Sequence, residues 1–406
     1  MKNKFLPLVM LLIGSCIVSC NDNDDTSVIA QSSTITFENK IVPKDFVQSG
    51  TFKGIGDDVI MAPVVLPGQS INFKFNAGKT QSLMFATMYG ASKDWFFAPE
   101  HPGLKLYDTD GNAITGDVSA QIKLWDNGTK DDVTGDIEDK DIAMVPNVDA
   151  SQLMKLELEY NASTSEFTLI MTNTSGGTMN ETPFSPGVWA VSNFLGGNLL
   201  NNMPFFKPGQ RSNIEITAIA EMGNNELLAV KTKEKTGIIT GLSPVLVVVY
   251  SGDINPIYEL GKKDEGKGLK FIAQMGNVST LKENLINVAG VKGVYVAGNA
   301  PIGPGQKESV QFESTTGDKI AYVTMFGYSN DWFYANEPII FANEKGDITN
   351  KTSLFDDGTG VDQYPGAGNN QALFGGTPAL EDVVISKVGD DFPVPELTEV
   401  IKVTIE

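Results

Sequence analysis

The chain has 406 residues, with 50 Asp and Glu against 30 Lys and Arg, a single His and two Cys. A net charge of −20 repels phosphate backbones, so a nucleic-acid partner is disfavoured. Both cysteines stand in the first twenty residues, and a catalytic triad or a histidine metal cluster would have only His101 to build on, so thiol, disulfide and histidine chemistry are all poorly supported.

The first predicted element is an export signal. Lys2 and Lys4 precede an apolar run from Phe5 to Ile13 and the small residues Gly14 and Ser15; the run is too short for a permanent bilayer span. Its end, Ile17-Val18-Ser19-Cys20, resembles a bacterial lipobox, which implies removal of residues 1–19 and lipidation of Cys20. Residues 20–32 open with Asn21-Asp22-Asn23-Asp24-Asp25, cannot bury a core, and read as a flexible acidic tether. An acidic run after the lipidated cysteine resembles the surface-export signal of some Gram-negative lipoproteins. The expected location is therefore the outer membrane, facing outward, with the membrane touched only through the lipid.

Beyond the tether, alternation predicts strands at 70–75, 153–160, 166–171 and 400–405, and the apolar stretch 242–250 predicts a buried strand. Asp110-Gly111, Asn127-Gly128 and Asp357-Gly358 predict tight turns, and helical periodicity is confined to short pieces such as 279–284. Many short strands bounded by turns predict an all-β fold of antiparallel sandwiches, because each apolar sheet face needs a second sheet to cover it.

Internal repeats divide the chain. The segment 82–98, SLMFATMYGASKDWFFA, is echoed at 320–335 by IAYVTMFGYSNDWFYA, and Met88 and Met325, like Asp94 and Asp331, stand 237 positions apart. Further on, Leu124-Trp-Asp-Asn-Gly-Thr129 pairs with Leu354-Phe-Asp-Asp-Gly-Thr359. A second repeat pairs Ser185-Pro-Gly-Val-Trp-Ala-Val-Ser192 with Ser243-Pro-Val-Leu-Val-Val-Val-Tyr250, and Ile219-Ala-Glu-Met-Gly-Asn224 with Ile272-Ala-Gln-Met-Gly-Asn277. Two tandem domains are expected, 33–180 and 181–406, the second with a duplicated N-terminal half-unit. The residues leave open whether 184–235 completes the first domain or forms a partial third.

These motifs resemble the spondin N-terminal domain family over nearly all of the chain after the signal. The stretches 185–191, 220–224, 324–335 and 355–359 match its bacterial pattern, and Tyr364-Pro-Gly-Ala-Gly-Asn-Asn370 is similar as well. The resemblance implies an eight-stranded antiparallel sandwich related to calcium-binding sandwiches, an extracellular adhesive or recognition role, and one cation held by carboxylates near the aromatic-Asp-x-Gly-Thr loop.

The acidic candidates follow from that loop. Asp94 and Asp331 precede Trp95 and Trp332, while Asp126 and Asp356 lie in the two Asp-x-Gly-Thr loops; calcium, with its need for six to eight oxygens, is the candidate cofactor. Four positions beyond the loop Asp the family is usually acidic, whereas this chain has Lys130 and Gly360; Asp131, Asp132 or Asp362 could compensate from a shifted register. The metal candidates are thus Asp331, Asp356 and Asp362 in the second domain and Asp94 and Asp126 in the first, with tighter binding expected in the second. Asp108 to Asn112 reads as a hairpin turn and His101 as an exposed loop residue. No carboxylate pair is placed as a glycosidase acid and base. The expected function is non-enzymatic: a lipid-anchored surface protein for adhesion or recognition, binding an extracellular protein or glycan, with a glycan-capture lipoprotein of a nutrient uptake system as the alternative.

Overall fold

The computed structural model describes residues 30–57 and 62–406. The expected signal peptide (1–19), Cys20 and the tether up to residue 29 lie outside the described residues. The described chain opens on strand β1 (Gln31–Asn39), in which residues 33, 35, 37 and 39 are buried and those between them are not. The strand starts inside the segment expected as tether. Ile35 and Phe37 require a core, and the hydrogen-bonded ladder runs outward from them as far as Gln31.

Eight longer strands follow: β2 (Phe46–Phe52), β3 (Ser70–Asn76), β4 (Ser82–Met88), β5 (Trp95–Pro99), β6 (Ile122–Asp126), β7 (Met154–Asn161), β8 (Glu166–Asn173) and β9 (Gly187–Ser192). They form two antiparallel sheets, ordered β2-β9-β4-β5-β6 and β3-β8-β7. The two sheets enclose one core, which includes Phe75, Phe85, Phe97, Leu156 and Phe167. Two helices, α1 (Ile214–Met222) and α2 (Glu226–Glu234), cover the outer face of the first sheet, with Ile216, Ile219 and Leu228 clustering with Met84, Phe96 and Val188.

The remainder repeats this plan. It comprises β10 (Val245–Tyr250), α3 (Leu269–Met275), α4 (Ser279–Leu285), β11 (Val291–Ala297), β12 (Lys307–Ser314), β13 (Lys319–Met325), β14 (Trp332–Asn336), β15 (Thr352–Asp356) and β16 (Ile401–Ile405). One sheet runs β11-β10-β13-β14-β15 and the other β12-β1-β16, so the first strand of the described residues sits between two strands of the chain's later part. The all-β antiparallel sandwich expected from the sequence is the observed architecture.

The two halves match strand for strand only if one is read from a different starting point. β8 occupies in the first half the place that β1 occupies in the second, and β9, α1 and α2 occupy the places of β10, α3 and α4. Side-chain contacts repeat the match. Asn39 Nδ2 donates to the carbonyls of Thr240 and Ile302, each at 2.9 Å, while its Oδ1 accepts from Ile41 N. Asn173 does the same with the carbonyls of Val65 and Thr182 and with Ser175 N. The first half is therefore a permuted copy, inserted after the first strand of the second. The chain's way in and way out of the insertion run side by side, with Phe46 N donating to Lys235 O and Gly237 N to Phe46 O.

This arrangement corrects the expected boundaries of 33–180 and 181–406. All six residues of β9 are buried between β2 and β4, so the segment after 180 completes the first half, and β1 belongs to the second. The half-unit read as duplicated within the second domain is present once in each half. The helices α1, α2 and α3 were missing from the expectation. The repeated Ala-Glu/Gln-Met-Gly-Asn motif is a helix end: Gly223 (φ +64) and Gly276 (φ +68) cap α1 and α3 in the left-handed conformation. A Cβ on Gly223 would lie 2.8 Å from Ser185 Cβ, so the Ser-Pro start of β9 needs glycine there as well.

One loop of the second half joins the two. Ala367 lies in the core of the first half, and the Phe374 ring fills the space where a side chain on Gly78 would stand. Gln363 Nε2 donates to Ser163 O at 3.0 Å, Gln81 Nε2 to Gly366 O at 3.0 Å, and Asn369 N to Ser165 Oγ at 2.8 Å.

Candidate cation site

The turn between β13 and β14 and the loop after β15 meet at one end of the second half. Strand pairing sets Trp332 opposite Asp356, which brings the preceding Asp331 onto the Asp356-Asp357-Gly358-Thr359 turn. Asp331 is fully buried, and its Oδ2 accepts from Thr359 N at 2.7 Å, Thr359 Oγ1 at 3.0 Å and Gly360 N at 2.7 Å. Asp356 Oδ1 accepts from Gly358 N, bending the turn, and Asp357 Oδ2 lies 3.0 Å from the same Thr359 Oγ1, competing with Asp331 for its single proton.

These bonds leave Asp331 and Asp357 half used, and Asp362 stands beside them without a regular hydrogen bond. Oδ1 of Asp331, of Asp357 and of Asp362 is buried without any hydrogen-bond partner. A buried, partnerless carboxylate oxygen is costly while charged. Desolvation, with the neighbouring Asp356 charge, pushes Asp331 up to about 7. Desolvation, followed by the Asp264 and Asp331 charges, pushes Asp357 up to about 8, and desolvation with Asp356 does the same for Asp362. Asp356 is also raised, chiefly by burial. The Trp332 indole N–H has no acceptor of regular geometry; Asp362 is the carboxylate beside it.

The first half holds the same frame with its charge disarmed. Asp94 Oδ2 accepts from Thr129 N, Thr129 Oγ1 and Lys130 N, and Asp126 Oδ1 from Gly128 N, so both copies of each aspartate take equivalent places. Asp94 Oδ1 is likewise without a partner. Where the second half has Asp357, however, the first has Asn127, whose amide bonds Thr129 Oγ1 and Thr217 Oγ1 and accepts from Ser212 Oγ. Lys130, at the position where the family is usually acidic, points its ammonium to Glu221 at 3.7 Å; the second half has Gly360 and Gln274 at these positions, and Gln274 Nε2 donates to Thr359. Asp132 matches Asp362 beside its Trp but is exposed, and burial together with the Asp94 charge raises it and Asp126.

Trp332 is 1 % exposed, whereas Trp95 is only half-buried. Asp108 accepts backbone bonds from Asp110 and Asn112, as the expected turn requires. His101, expected exposed, is half-buried with its ring 4.5 Å from Phe206. Asp357 was absent from the expected ligands; the Asp356-Asp357 doublet opposite Asp126-Asn127 was its only trace.

The second-half oxygens suit a hard divalent cation by chemistry, being carboxylate-only and short of partners. Among the described residues, no three His, Cys, Asp or Glu side chains form a ready-made metal cage. Compared with known proteins, the sequence is matched by no family model and by no curated protein.

Proposed function

We propose that the chain is a non-enzymatic, lipid-anchored cell-surface recognition protein made of two spondin-like sandwich domains, in which calcium rigidifies the acidic loops that meet an extracellular protein or glycan. The observation that carries this reading is the set of three partnerless carboxylate oxygens, on Asp331, Asp357 and Asp362, buried at one loop end. Asp331, Asp356, Asp357 and Asp362 would hold the cation, which supplies the positive charge that these groups lack. The Thr359 and Gly360 N–H groups already orient Asp331, so the cation meets a fixed acceptor.

The anchor at Cys20 supports the same picture through polarity. The chain reaches the second half at Gln31, next to Ser314, while the acidic loops lie beyond Met325 at the other end of the strands. A lipid before Gln31 leaves the loops facing away from the membrane.

Calorimetric titration of the soluble chain with calcium tests the cation. Saturable binding by the wild type that is lost in Asp331→Asn and Asp357→Asn is expected, and no binding at millimolar calcium removes the site. Metabolic labelling with a fatty-acid analogue tests the anchor: a labelled Cys20→Ala protein overturns it.

A further inference from the structure

A pocket of about 430 Å³ lies on the first half, between the 201–213 segment, α2 and the start of β2. Basic side chains outnumber acids in its lining: Lys207, Arg211, Lys231 and Lys235 stand with one acid, Asp45. The pocket in the corresponding place of the second half, under the 251–268 segment, carries three lysines against three acids. Cationic lining is thus particular to the first half. Lys231, Lys235 and Arg211 lean on acids, Glu215, Asp45 and the Asp139/Asp141 pair respectively. Lys207 makes no ion pair and the Gln210 side chain no hydrogen bond among the described residues, so both are free to take up a ligand.

The pocket wall is strained. Phe206 N donates to Pro204 O at 2.9 Å, closing a γ-turn around Phe205, which has φ +69. For a bulky residue that conformation is unfavourable and persists only where its surroundings impose it. Two side chains impose it here. Asn213, the cap of α1, donates to Phe205 O at 2.7 Å, and His101 Nε2 lies 3.2 Å from Pro204 O, a contact in which Nε2 must carry the proton. The effect is to hold the half-buried Phe205 ring against the pocket, beside free donors.

From this we infer that the pocket binds a small sugar acid, a hexuronate or its like, with the ring face on Phe205, the carboxylate on Lys207, and hydroxyls on Gln210. An apolar wall with a few converging polar groups and a volume in the few-hundred-Å³ range is what such a ligand needs. The inference does not depend on the cation reading, since the pocket uses none of the acidic loops.

Isothermal titration of the full soluble chain with D-glucuronate, and with D-glucose as the neutral parent, is the test. Glucuronate should bind at least tenfold tighter than glucose. Lys207→Ala should lose tenfold or more, and Phe205→Gly, which suits the positive φ but removes the ring, should also lose binding while the protein stays folded by circular dichroism. Lys233→Ala, which removes a lysine of the same helix outside the pocket, should bind as the wild type does. No saturable glucuronate binding, equal binding of glucose, or full affinity in the Lys207→Ala variant overturns the inference.

Discussion

The stability of the cation-free protein should fall between pH 6 and pH 8. Asp331, Asp357 and Asp362 lie at about 7, 8 and 8 in the folded state, raised by burial from 3.8. In the unfolded chain they have ionised well below pH 6. Through the window the folded state therefore holds more protons than the unfolded one, and stability drops as pH rises. A single group at about 8 accounts for about 2 kcal/mol between pH 6 and 8, and one at about 7 for roughly 1.4 kcal/mol. The three raise one another, so the total lies between about 2 kcal/mol and a ceiling of roughly 6 kcal/mol. Ordinary carboxylates have finished titrating below this window, and burial lowers His101 from its ordinary value. Thermal unfolding in EDTA should show a Tm lower at pH 8 than at pH 6 by at least about 4 °C, taking about 2 °C per kcal/mol for a unit of this size. Calcium competes with those protons, so its stabilising effect should grow across the same window. Asp357→Asn should raise the cation-free Tm at pH 8 and flatten the slope. An EDTA Tm that is unchanged from pH 6 to pH 8, or a calcium increment equal at both, refutes the reasoning.

Other expectations follow from the packing. Asn39→Ala removes three buried hydrogen bonds and should cost about 2–4 kcal/mol by chemical denaturation, with Asn173→Ala costing a similar amount in the first half. Trp332→Ala should cost about 3–5 kcal/mol, and Trp95→Ala clearly less because Trp95 is only half-buried. Asn127→Asp should lower the cation-free Tm by placing a carboxylate in the first-half frame, and calcium should restore part of the loss. A fragment from Lys44 to Ile238 holds both sheets of the inserted half and should give a cooperative melt with a β-type circular dichroism spectrum.

Much of the fold was legible because alternation and turns are local. The spacing of Leu156, Leu158, Phe167 and Leu169 predicted β7 and β8, and the repeated Asp-Trp-aromatic motif predicted two equivalent strands. What local pattern could not disclose was which strand pairs with which. Nothing in Ile35 and Phe37 says that their partners are Val310, Ile405 and Val403, more than 260 residues later. The helices escaped because Ile214 to Met222 is rich in β-branched residues, so that its cap, Asn213, and the sheet face it covers decide its conformation. At the acidic site, Asp331, Asp356 and Asp362 were legible from the repeat and the family resemblance but Asp357 was not, and their burial depends on the loop that packs into the other half, a tertiary contact.

The position of β1 also sets how the molecule carries a load. It is hydrogen-bonded to β12 over eight residue pairs on one side and to β16 over five on the other. Tension drawn from Gln31 against a partner gripped at the opposite loop end acts along the strand, so both ladders are sheared at once and their bonds must break together. An edge strand would peel open one pair at a time. A protein held from this end resists detachment through a strand paired on both sides, and the inserted half, whose two connections sit side by side, lies off the line of pull.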